Sequence, residues 1–130
     1  MGDLSDNFSR IEFTCRCGCG MDTVDAQLIT ILQQCSDDFA KKYNTNVRIT
    51  ITGPNRCDKH NKIIGGSVLS QHLLCKAADI KLSMKVEEEW DTIRMQELYD
   101  YFDHKYPNTL GIGIYSSWVH VDVRTQRARW

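Results

Sequence analysis

Ser70-Gln71-His72-Leu73-Leu74-Cys75-Lys76-Ala77-Ala78-Asp79-Ile80, read together with Trp118-Val119-His120-Val121-Asp122, is the pair of stretches around which the chain is organised. From Lys76 to Leu82 the residues alternate, with Ala78, Ile80 and Leu82 on one face and Ala77, Asp79 and Lys81 on the other. From Trp118 to Arg124 the same period puts Val119, Val121 and Val123 toward a core and Trp118, His120, Asp122 and Arg124 on the opposite face. Each stretch therefore predicts a strand with one apolar and one polar side. His72, Asp79 and His120 supply two imidazoles and one carboxylate, a donor set that suits Zn²⁺ and leaves a fourth position for water. A surface histidine, a strand-end aspartate and an unrelated second histidine would give the same residues, and these three alone do not decide between the two.

Working outward, Val24, Leu28, Ile31, Leu32, Cys35, Phe39 and Tyr43 recur at helical spacing. They predict a helix of about five turns, capped by Asp22 or Thr23 and closed by Asn44 and Asn46. Val47 to Thr52 alternates as a strand packing one face on that helix. Gly53 to Asn61 is a polar loop displaying Arg56, and Val68 to Leu74 is expected to hold a short helical segment delivering His72. Residues 86 to 105 carry Glu87, Glu88 and Glu89 followed by Trp90, Ile93, Leu98, Tyr101 and Phe102. They are expected to form a second amphipathic helix with an acidic first turn, stopped near Pro107. Leu110 to Tyr115 reads as a strand with glycine at alternate places, where another backbone or a ligand can come close, and Ser116-Ser117 turns the chain. Residues 1–12 are expected to be an amino-terminal arm, with residues 8 to 15 a short extended stretch leading into a turn at Cys15 to Gly20, and Thr125 to Trp130 a loose basic tail. This order of elements predicts one α+β domain over residues 1–130, with an antiparallel sheet and helices packed on one side.

The 130 residues are enough for a core that folds without disulfides or metal. With 16 Lys and Arg against 17 Asp and Glu, the net charge of -1 gives no electrostatic reason to expect nucleic acid or an anionic membrane as partner. No apolar run approaches the roughly 18 to 20 residues of a membrane span. The polar start Met1 to Asp6 is unlike a secretory signal, so synthesis in the cytosol is expected, as a monomer. Cys15, Cys17, Cys19, Cys35, Cys57 and Cys75 are expected to be thiols rather than a disulfide framework. Cys15, Cys17 and Cys19 could form a second zinc site, but their alternate spacing differs from the two intervening residues of a zinc ribbon.

On these residues the chain resembles the zinc D-alanyl-D-alanine carboxypeptidases, which share a hedgehog-like fold with L-alanyl-D-glutamate endopeptidases. The likeness is carried by Arg56 to Asn61, Gly65-Gly66, Ser70-Gln71-His72 with Ala77 to Ile80, and Gly111 to Tyr115 with His120 to Arg124. It implies Zn²⁺ held by His72, Asp79 and His120, with Arg56 pairing a substrate carboxylate or the scissile carbonyl. Ser70, Gln71, Tyr115 and Trp118 are implied as substrate contacts. The implied substrate is a peptidoglycan stem peptide, cut by metal-activated water at the cell wall after release from the cell. Many relatives carry an acidic residue or histidine shortly before the last ligand, whereas Ile114 to Val119 contain no carboxylate. Asp122, roughly 6 to 7 Å along the strand from His120, is the nearest acid on that face and the candidate general base, or else it orients a ligand. His60 is a weaker candidate for proton transfer. The rival reading is a zinc-binding recognition module of the same fold without hydrolysis.

Overall fold

In the computed structural model, which describes residues 4–13, 15, 25–53 and 76–130, helix α1 spans Ala26–Tyr43. The Asp25 carboxylate caps it, accepting from the backbone N–H of Gln27 at 2.8 Å and of Leu28 at 3.2 Å. The expected caps Asp22 and Thr23 lie outside the described residues. Asn44 ends the helix in the left-handed conformation, φ 51°, as a residue tolerant of that region can. Leu28, Leu32, Cys35 and Phe39 form its buried stripe.

Among the described residues six strands form one open sheet, in the order β1 (Val47–Gly53), β2 (Ala77–Val86), β5 (Val119–Asp122), β4 (Gly111–Ile114), β6 (Ala128–Arg129), with β3 (Glu89–Thr92) paired to β2 beyond the end of β5. All pairings are antiparallel except β4 with β6. Helix α2 (Met95–Lys105) lies beside α1. Tyr43 and Lys42 both bind Glu97, and Tyr101 and Lys105 both bind Asp38, so the two helices share one face of the sheet. Between helices and sheet, Leu98 and Phe102 join the α1 stripe against Ile80, Leu82, Ile112, Val119 and Val121. The expected antiparallel sheet with helices on one side is present, and the period of two puts Asp79, His120 and Asp122 on the face away from the helices.

Three expectations need correction. The second helix does not begin at residue 86: Val86 and Glu89 pair across a two-residue turn in which Glu87 and Glu88 have φ of 49° and 73°, the form that suits the twist of a hairpin. This arrangement continues β2, and it brings Trp90 to 4.3 Å from the Arg48 guanidinium, a cation–π contact that a solvated first helical turn would not provide. The amino-terminal arm is not extended. Arg10–Phe13 make one 3₁₀ turn, and burial drives it, since Phe8 and Phe13 enter the core with ring centres 6.1 Å apart.

Residues 125–130 are not a loose tail either. Trp130 N–H donates to the Ile112 carbonyl at 3.1 Å and Ile114 N–H to the Trp130 carbonyl at 3.0 Å, which registers β6 on β4. The Arg129 guanidinium meets Asp103 at 2.7 Å and donates to the carbonyls of Tyr106, Thr109 and Leu110 at 2.8 to 3.0 Å. A basic residue thus anchors the segment by satisfying the backbone after α2, where solvation had been expected.

Candidate metal centre

The β2–β5 register sets Asp79 directly opposite His120 and Ala77 opposite Asp122. On the other side of β5, Gly113 stands opposite His120 and Gly111 opposite Asp122. The pairing therefore gathers the polar residues of two strands into one patch and removes side chains from the third. His120 Nδ1 lies 3.0 Å from Asp79 Oδ1, and Nε2 lies 2.8 Å from Asp122 Oδ2.

Asp122 is fully buried and holds its charge through its neighbours. Arg124 forks onto it with Nε to Oδ1 and Nη2 to Oδ2, both at 2.7 Å. The backbone N–H groups of Gly111 and Arg124 each donate to Oδ1 at 3.2 Å. Burial alone would raise its pKa, but the hydrogen bonds from His120 and Arg124 outweigh that and hold the carboxyl well below the usual carboxylate range. Gly111 is required at its position, because a Cβ there would run into both carboxylate oxygens and Arg124 Nε.

An ionised Asp122 fixes the imidazole, since the Nε2–H donates to it and Nδ1 is left to face Asp79. In a neutral ring Nδ1 and Asp79 Oδ1 would be two acceptors confronting each other across 3.0 Å, a contact that needs a positive centre. A proton can supply it: burial opposes protonation of His120, yet the bonds to Asp122 and Asp79 prevail and its pKa is raised. A divalent ion can supply it as well. One nitrogen and one carboxylate oxygen this close fit zinc, whose bonds to such donors are about 2.0 to 2.2 Å long, and a carboxylate behind the imidazole is the usual support for such a ligand.

Among the described residues no group of three or more His, Cys, Asp or Glu side chains could hold a metal ion. Asp79 and His120 are two donors, and the third expected ligand, His72, lies outside the described residues. So do Arg56, Ser70, Gln71, His60, the 68–74 segment, and Cys17, Cys19, Cys57 and Cys75. Cys15 is buried, and Cys35 is a buried free thiol whose pKa burial raises.

Tyr115 and Trp118 flank the Ser116-Ser117 turn with rings stacked at 4.8 Å and 14°. Trp130, which sequence reading passed over, completes this side. Its ring centre is 5.1 Å from that of His120, its Nε1–H donates to Tyr115 Oη at 2.8 Å, and the Arg124 guanidinium lies 5.3 Å from its centre. The alternate glycines of β4 were the available signal. They admit close approach, as expected, and what approaches is the chain itself, with Trp130 over Gly113 and the Asp122–Arg124 pair over Gly111. A cleft of about 720 Å³ between α1 and α2 opens on the other face of the sheet, and among its charged lining residues Lys42 pairs with Glu97 and Lys105 with Asp38.

The sequence model of the family described as Peptidase M15 matches residues 6–122. No curated protein and no solved structure matches the chain.

Proposed function

Because the chain belongs to the Peptidase M15 family, the zinc D-alanyl-D-alanine carboxypeptidases, and is therefore a metallopeptidase of peptidoglycan stem peptides, we propose that its zinc is held by His72, Asp79 and His120. The observation that carries this reading is the 3.0 Å approach of His120 Nδ1 to Asp79 Oδ1 across paired strands, with Asp122 behind the ring. Zinc bound there would supply a Lewis acid for the scissile carbonyl and lower the pKa of water.

The chain's own residues divide the remaining work. Asp122 orients His120 and keeps its Nε2 protonated. It does not act as the general base, because its oxygens are dry and already accept from His120, Gly111 and Arg124. Gly53, at the end of β1, pairs with Asp79, and Arg56 follows Gly53 by three residues in the sequence. The planar fork of Arg56 suits a substrate carboxylate or the polarised carbonyl. Ser70, Gln71, Tyr115 and Trp118 contact the stem peptide. The site of action is the cell wall.

Zinc-loaded protein should release fragments from purified peptidoglycan, and chelation should stop the release. Mass spectrometry of the fragments assigns the bond, since cleavage before a terminal D-alanine and cleavage between L-alanine and D-glutamate give products of different mass. Stoichiometric zinc and peptide binding with no released fragment would replace hydrolysis by the recognition-module reading.

A further inference from the structure

Trp130 is held more firmly than a wall residue needs to be. Its backbone is hydrogen-bonded in both directions to β4, its ring lies on the Gly113 backbone, and Arg124 packs against it. The indole N–H can only donate, so in the 2.8 Å bond between Trp130 Nε1 and Tyr115 Oη the phenol oxygen is the acceptor. The phenol therefore keeps its own proton to give to another acceptor. Stacking on Trp118 restrains the same ring from a second side, while 40% of Tyr115 remains exposed. The Trp130 ring that grips the phenol also borders His120.

We propose that Trp130 is a positioning residue for Tyr115, fixing the phenol so that its O–H is donated to a carbonyl or carboxylate oxygen of the stem peptide bound beside His120. The inference rests on the peptidase reading and adds to it a fixed donor and the residue that fixes it. Binding such a donor in advance removes the entropy that a free tyrosine would lose on meeting substrate.

The test compares Trp130→Phe, Tyr115→Phe and the double variant as zinc-loaded proteins, on purified peptidoglycan and on a synthetic stem pentapeptide ending in D-alanyl-D-alanine. Each single variant should lower kcat/KM by on the order of tenfold, the worth of one hydrogen bond. The double variant should be no worse than Tyr115→Phe, because both remove the same interaction. Zinc content and Tm should stay at wild-type values, which a merely structural role for Trp130 would not allow. Wild-type kcat/KM in Trp130→Phe, losses that multiply in the double variant, or a fall in kcat/KM that follows lost zinc or lost Tm would overturn the proposal. A wild-type protein that cleaves neither substrate would instead overturn the peptidase reading and this inference with it.

Discussion

Replacing Asp122 by Asn tests the orienting role of this residue against a general-base role. The amide keeps the size of the carboxyl but substitutes an N–H₂ for one oxygen, turning a donor toward Arg124 or toward the His120 Nε2–H. Breaking a buried ion pair by altering one partner costs about 3 to 5 kcal/mol. The Arg124 side chain is 32% exposed and can turn toward water, so the low end applies, about 3 kcal/mol. For a chain of this length that corresponds to a fall in Tm on the order of 10 °C. Loss of the carboxylate behind a metal-bound imidazole weakens metal affinity by about 10- to 100-fold. The assay is paired: zinc affinity by competition with a chromophoric chelator, and peptidoglycan hydrolysis at zinc concentrations from limiting to saturating. The orienting role predicts weaker zinc binding, a lower Tm, and activity largely restored as zinc saturates the variant. A general base would act differently, with turnover falling by about 10²- to 10⁴-fold at full occupancy. Unchanged zinc affinity and Tm with collapsed turnover would refute the orienting role.

The same carboxyl carries a pH signature. A folded-state pKa below the unfolded value of about 3.9 contributes stability that is present above that value and is lost as pH falls through the folded pKa; the wild-type minus Asp122→Asn difference in denaturant midpoint should therefore shrink below about pH 4, and a difference that stays constant down to pH 2 would contradict it. Gly111→Ala should act at the same cradle, driving a methyl group into the Asp122 carboxylate and Arg124, and should lower stability by about 1 to 3 kcal/mol with a parallel loss of zinc affinity; wild-type values of both would show that the cradle is not as tight as described. Glu88→Gly should raise stability by about 1 kcal/mol in thermal unfolding, because a glycine takes φ 73° without the Cβ penalty, whereas a loss of that size would restore the helix first expected over residues 86 to 105.

What could be read in the sequence was whatever repeats with a period. The α1 stripe and the strands holding Asp79 and His120 follow from alternation of apolar and polar residues, and alternation alone put Asp79, His120 and Asp122 on a polar face. It could not supply the register that sets Asp79 opposite His120, because register depends on pairing between distant segments. Hence the distance from His120 to Asp122 could be bounded along a strand, while the saturation of Asp122 by Arg124 and Gly111 could not be foreseen. The Glu87–Glu89 run misled because its spacing to Trp90 and Ile93 satisfies a helix as well as a hairpin, and the tertiary contact with Arg48 lies outside any local window. Trp130 escaped notice for a related reason: a short basic segment has no period, and its partners Tyr115 and Gly113 lie far back in the chain.

The central claim is that Asp79 and His120, brought together by the β2–β5 register, are ligands of one zinc ion. Metal content by native mass spectrometry, after loading and desalting, tests it directly on the wild type, Asp79→Ala and His120→Ala. The account predicts one zinc per wild-type chain and none retained by either variant, each still folded by circular dichroism. A folded Asp79→Ala or His120→Ala protein that keeps a full equivalent of zinc would contradict it.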